Sequence, residues 1–170
     1  MKSSLALILT LVLAILATPA AALVKIGTPL PALSLPDTTG KAHQLSQLVK
    51  DKVAVLVYWS VSCPHCRREM PKLLELNRQM AGNPLVMVMV NSDGPAMNQA
   101  VAKYAEIYQL PRPVLLDQGP KDTVPFAEAF DLVVTPTVLV LDKTGKLIQA
   151  QEQSIDMAKL MRAIEQGFSR

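Results

Sequence analysis

The chain has 170 residues, 50% apolar and 18% charged, with 17 Lys and Arg against 14 Asp and Glu for a formal charge of +3. That length and apolar fraction suit one domain around a single core and exclude a disordered chain. The basic excess is too small and scattered for a nucleic-acid-binding face, and two cysteines are too few for a disulfide-stapled mini-domain or a self-sufficient zinc site.

Residues 1–22 stand apart from the rest. Lys2, the apolar stretch Leu5–Ala17 and the small run Ala20-Ala21-Ala22 read as a secretory signal peptide cleaved after Ala22. The thirteen residues of that stretch reach only roughly 20 Å, short of the ~30 Å hydrocarbon core. A membrane role therefore requires an uncleaved anchor extended through Thr18–Val24. Export leaves a single domain, residues 23–170, in a periplasm or comparable oxidising compartment, where a disulfide persists.

The mature chain alternates strand and helix signals. Residues 30–36 are extended and proline-limited, Asp37–Lys41 is turn chemistry, and His43-Gln44-Leu45 returns, which together predict a hairpin. Val53–Trp59 is an uninterrupted apolar run, the mark of a strand covered on both faces. A helix is expected from Pro64 to about Met80, with Pro71 kinking it, ending at Gly82-Asn83-Pro84. Leu85–Val90 predicts a second buried strand and Pro95–Tyr108 a second helix. Four prolines stiffen residues 111–125 around a short strand at Val114–Leu116, and Pro125–Phe130 reads as a short helix. Thr137–Leu141 and Lys146–Ala150, joined by Asp142-Lys143-Thr144-Gly145, form a second hairpin, and Ile155–Phe168 a final amphipathic helix. Parallel pairing across the first crossover and antiparallel pairing in the hairpin give an α/β domain with a mixed sheet and helices on both faces.

The chemistry concentrates at Cys63-Pro64-His65-Cys66. A C-x-x-C that follows a buried strand and opens a helix is the redox arrangement rather than the metal one. Free N–H groups and the macrodipole at a helix N-terminus stabilise a thiolate, so Cys63 is the expected low-pKa nucleophile. Cys66, one turn in, is placed to resolve a mixed disulfide. His65 is expected to donate a hydrogen bond or carry charge beside Cys63, which would make the disulfide more oxidising. A structural bridge is disfavoured, because a loop this short removes little entropy from the unfolded chain. The alternative from another class is a soft-metal module, in which Cys63 and Cys66, with or without His65, hold an ion such as Cu(I).

The segment Tyr58-Trp59-Ser60-Val61-Ser62-Cys63-Pro64-His65-Cys66-Arg67-Arg68-Glu69-Met70-Pro71 resembles the active site of TlpA/ResA-like thiol–disulfide oxidoreductases, which have the thioredoxin fold. The resemblance extends upstream to Leu33–Lys41 and downstream to Val134-Thr135-Pro136-Thr137 and Leu141–Lys146, nearly the whole mature chain. It implies that Pro136 is a cis-proline facing the cysteine pair, and that Thr135 offers backbone groups to a bound substrate. Trp59 would lie beside the site and contact the substrate there, unless it serves only to pack the strand. Glu69 would exchange protons with Cys66 or tune both sulfurs, provided that it is buried rather than an exposed carboxylate. The resemblance also implies protein thiol or disulfide substrates, apocytochrome c among them, an upstream redox partner, and no prosthetic group. Direction is left open, since the scaffold resembles the reductive members whereas Pro64-His65 is the dipeptide of the oxidase DsbA. Met87 and Met89, alternating with valines on a strand, read as core rather than copper ligands, and His43 as exposed.

Overall fold

The computed structural model describes residues 24–170; the leader expected over residues 1–22 lies outside them. Strands β1 (Ser34–Pro36) and β2 (Ala42–Gln44) form the expected antiparallel hairpin, followed by the single turn α1 (Leu45–Leu48). Strand β3 (Val53–Trp59) leads into α2 (Pro64–Gln79), which crosses over to β4 (Leu85–Asn91). A 3-10 turn at Pro95–Met97 precedes α3 (Asn98–Ile107), then come β5 (Val114–Leu116) and α4 (Pro125–Phe130). Strands β6 (Thr137–Leu141) and β7 (Leu147–Glu152) and helix α5 (Met157–Phe168) complete the domain. The sheet order is β5-β4-β3-β6-β7, with β3, β4 and β5 parallel and β6 and β7 antiparallel. This is the thioredoxin fold.

Strand β3 sits at the centre because its side chains are apolar apart from the Tyr58 hydroxyl and the Trp59 Nε1–H, and all seven are buried. Alternate residues point to opposite faces. Val53, Val55, Val57 and Trp59 join Met70 and Leu73 of α2, Val101 of α3 and Leu160 of α5. Ala54, Leu56 and Tyr58 join Leu35, Leu45, Phe126 and Phe130 on the other side. Each fully buried Leu or Phe in these layers contributes about 2 kcal/mol of apolar transfer. Helix α5 comes close enough to β3 that a Cβ on Gly167 would lie 3.0 Å from both Val53 methyl groups, so a larger residue there would require Val53 to shift by a few tenths of an ångström.

Three local expectations are corrected. The 95–108 helix is split, because its first three residues form a 3-10 turn. The last helix starts at Met157 rather than Ile155, because the Asp156 side chain accepts the Lys159 N–H at 2.9 Å and caps it. His43 is part-buried rather than exposed, its Nε2 lying 2.7 Å from Asp37 Oδ2. Asp37 also accepts from the Thr39 and Lys41 amides and the Thr39 hydroxyl. Asp142 holds Thr144 and Lys146 in the same way, so the two D-x-T-G-K stretches are the same turn used twice. Met87 and Met89 are core residues. Among the described residues no helix is long and apolar enough to cross a membrane.

Candidate active site

At the C-terminal end of β3 the chain turns through Ser60-Val61-Ser62 and enters α2 with Cys63 as its N-cap. Pro64 occupies the first helical position, where its missing N–H is not needed. Cys63 Sγ accepts the Cys66 N–H at 3.2 Å and faces the Thr135 carbonyl oxygen at 3.3 Å. The Thr135–Pro136 peptide is cis, with Pro136 buried behind it. Topology brings these parts together: β6 runs antiparallel beside β3, so the start of β6 meets the end of β3.

The two sulfurs differ in environment. Cys63 is part-exposed, and Cys66 is buried. Partial burial works to raise the Cys63 pKa, but it is outweighed by the Cys66 thiol, the Thr135 side chain and the backbone N–H groups of Cys66 and His65, so its pKa lies below the ordinary thiol value. Burial, and then the Cys63 sulfur, push Cys66 up to about 12. One sulfur is prepared for attack, and the other is held as a thiol.

The remaining expected residues fall as follows. The His65 ring is exposed and turned along the helix, its Nδ1 accepting from Arg68 Nη2 at 2.8 Å. A guanidinium only donates, so this bond needs Nδ1 unprotonated. The support that His65 gives Cys63 comes from its backbone N–H, not its imidazole. Glu69 is 2% exposed, which removes the exposed-carboxylate reading. Its oxygens accept from Lys72 Nζ at 2.9 Å and Arg68 Nε at 3.4 Å, and no hydrogen bond joins it to Cys66. Trp59 is fully buried against Tyr104, with ring centroids 5.1 Å apart, and its Nε1–H has no partner. It presents no surface to a substrate, so the expected contact gives way to packing beneath the site. Among the described residues no cluster of three His, Cys, Asp or Glu side chains is spaced to hold a metal ion.

Sequence reasoning missed Asp93. Its Oδ1 accepts from Ser60 Oγ at 2.7 Å, and its Oδ2 accepts from the Val61 N–H and Asn91 Nδ2, both at 2.8 Å. Ser60 Oγ in turn accepts the Ser62 N–H at 3.1 Å. Arg67 closes the same turn from the other side, donating through Nε and Nη2 to the Val61 carbonyl at 3.3 and 3.0 Å. The available signal was Asn91-Ser92-Asp93-Gly94 at the C-terminal end of a strand parallel to β3, the end where α/β sheets place their sites.

A scan against family models matches residues 25–161 to Redoxin. The chain belongs to the redoxin family. Among curated relatives, this redoxin is 32% identical over 124 residues to the thiol-disulfide oxidoreductase ResA of Geobacillus thermodenitrificans, covering 73% of this chain and 67% of that one. It is 29% identical to the protein of the same name from Geobacillus kaustophilus, over 84% and 78% of the two chains. Among solved structures, a thiol-disulfide isomerase from Corynebacterium glutamicum superposes with a TM-score of 0.74 at 16% identity, covering 85% of this chain and 97% of that one. A thioredoxin-family thiol:disulfide interchange protein from Chlorobium tepidum gives 0.69 at 21%, over 84% and 97%. These two likenesses bear on the fold. The redoxin is ResA/TlpA-like, and its activity is that of a thiol–disulfide oxidoreductase.

Proposed function

We propose that this redoxin is an exported enzyme that exchanges electrons with protein thiols and disulfides through Cys63 and Cys66. The supporting observation is the inequality of the two sulfurs: a part-exposed Cys63 that accepts a helix N-terminal N–H, and a buried Cys66 whose pKa is pushed up to about 12. In the reductive direction the Cys63 thiolate attacks a substrate disulfide, forms a mixed disulfide and expels one substrate thiolate. Cys66 then loses its proton and attacks Cys63 Sγ. The second substrate thiolate leaves, and the enzyme holds the Cys63–Cys66 disulfide. The oxidative direction is the same sequence reversed. Two electrons travel with the sulfurs, and an upstream thiol partner of the same chemistry restores the starting state.

Thr135 and Pro136 form the wall against which a substrate strand lies, with the Thr135 carbonyl already turned toward Cys63. Glu69, buried one turn beyond Cys66, is the proposed proton acceptor for the resolving step. The signal-like segment 1–22 supports export to a periplasm-like compartment, where exported thiol proteins such as apocytochrome c are the substrates. The test is a pair of serine variants assayed on a protein disulfide such as insulin. Cys63→Ser is expected to abolish exchange, and Cys66→Ser to accumulate mixed disulfides that a non-reducing gel resolves. Trapping by Cys63→Ser instead would reverse the assignment.

A further inference from the structure

Helices α2 and α3 share a buried seam and then separate toward the surface. Val101 and Ala105 of α3 are buried, whereas Met97, Ile107 and Tyr108 remain 37%, 62% and 51% exposed. Between the helices lies a hollow of about 330 Å³ walled by Met70, Pro71 and Leu74 on one side and Tyr108 on the other. A second hollow of about 370 Å³ runs from Val61 and Ser62 past Met97, Ala100 and Lys103. Arg67, Tyr104 and Ile107 line both, so the two are one groove. It starts at Ser62, the residue before the nucleophile, and ends at Tyr108.

The groove has a charge as well as an apolar floor. No Asp or Glu lines either hollow. Arg67 donates only to the neutral Val61 carbonyl, and neither it nor Lys103 forms an ion pair among the described residues. Arg78, at the far end, is already bound to Glu75 at 2.6 Å. Two positive charges thus border exposed apolar side chains in a groove that begins at Ser62, one residue before the nucleophile. From Met97 to Tyr108, at about 1.5 Å per residue, the groove is roughly 16 Å long, the span of about five extended residues.

We infer that this groove binds the substrate polypeptide on one side of its reacting cysteine, selecting a segment of about five residues that carries a large apolar side chain and carboxylates. The inference rests on the reading that the substrates are proteins. The apolar side chain covers Ile107 and Tyr104, and the carboxylates lie against Lys103 and Arg67. Selection is then made by binding, with the sulfur chemistry unchanged.

The test uses pre-reduced enzyme in single turnovers, followed by fluorescence of the chain's one tryptophan. The probes are a small aromatic disulfide and three synthetic peptides, each carrying one cysteine as its mixed disulfide with glutathione. One peptide bears Leu and two Asp within five residues of the cysteine, the second replaces both Asp by Lys, and the third replaces Leu by Ser. The first peptide is expected to react roughly tenfold faster than the second and several-fold faster than the third. Lys103→Glu should reverse the Asp-over-Lys ranking, and Ile107→Ser should erase the Leu preference. Neither should change the rate with the small disulfide. Equal rates for all three peptides, or a ranking untouched by Lys103→Glu, would overturn the groove and leave protein exchange standing. Turnover of the small disulfide with no peptide turned over would remove both.

Discussion

His65→Pro and His65→Ala take different groups from the same turn. Alanine removes only the imidazole, which is turned onto Arg68. Proline also removes the backbone N–H, one of the groups that hold the Cys63 pKa below the ordinary thiol value against the opposing effect of burial. Only the Cys66 N–H lies within hydrogen-bond distance of Cys63 Sγ, and the His65 N–H is the smallest of these supports, so with Cys63 part-exposed its loss costs about 1 kcal/mol, below the roughly 1.5–3 kcal/mol of a full hydrogen bond to a charged group. A loss of about 1 kcal/mol corresponds to a roughly fivefold smaller acid dissociation constant for Cys63. Destabilising the thiolate destabilises the reduced protein, so the disulfide becomes less oxidising by about 20 mV at a pH where Cys63 is ionised. Exchange rises with pH as Cys63 ionises, and in His65→Pro this limb should move to higher pH, whereas in His65→Ala it should stay near that of the parent. The assay is thiolate absorbance across pH, with a redox titration of each protein against glutathione. An equal change in both variants would return the effect to the imidazole and refute the backbone argument.

Three other outcomes follow from the geometry. Asp93→Ala removes three accepted hydrogen bonds and leaves the Val61 N–H without its acceptor, while Ser60 keeps Ser62 and Asn91 keeps the Trp59 carbonyl, so it should cost about 2 kcal/mol and lower the melting temperature by roughly 6 °C; a melting curve unchanged within error would mean that the turn is held elsewhere. Glu69→Gln should slow resolution by about a hundredfold and flatten its pH dependence with the fold intact by circular dichroism, and an unaltered pH–rate profile would end the proton-acceptor role. At Asp37, burial raises the carboxyl pKa but hydrogen bonds from Thr39, His43 and Lys41 outweigh it and hold the pKa well below the usual range. Its contribution is therefore present above the ordinary carboxylate pKa and is lost as the pH falls below that value. Asp37→Asn should cost about 1–2 kcal/mol in urea unfolding near neutral pH and progressively less on acidification. A cost that did not vary with pH would contradict this.

The sequence was most legible where one residue pattern had one solution. Seven consecutive apolar residues cannot face water on either side, so β3 read directly as a covered central strand. A C-x-x-C after such a strand has its first sulfur at a helix start whatever the rest of the chain does, and the asymmetry of Cys63 and Cys66 was foreseeable from that alone. The misses depend on side-chain direction or on distant pairing. Asp93 meets Ser60 only because β4 lies parallel to β3, and nothing local in Asn91-Ser92-Asp93-Gly94 distinguishes a clamp from an ordinary turn. His65 was placed correctly in the chain, but whether its ring follows Cys63 or Arg68 is a rotamer choice that the helix start leaves open. Trp59 sits beside the site in sequence and beneath it in space, because strand alternation sends it to the inner face with Val57 and Val55.

The motif is carried by a strand paired on both sides, β4 on one and β6 on the other, while β5 and β7 form the margins of the sheet. Amide protons in such a strand exchange only in the rarest and largest openings, whereas marginal strands and short hairpins exchange through frequent small ones. The Cys63 turn is thus anchored to the slowest-exchanging part of the molecule. Breathing at β7 or at the β1–β2 hairpin leaves the spacing of the two sulfurs unchanged, and the protein can pass through many oxidation cycles while its periphery opens and closes independently.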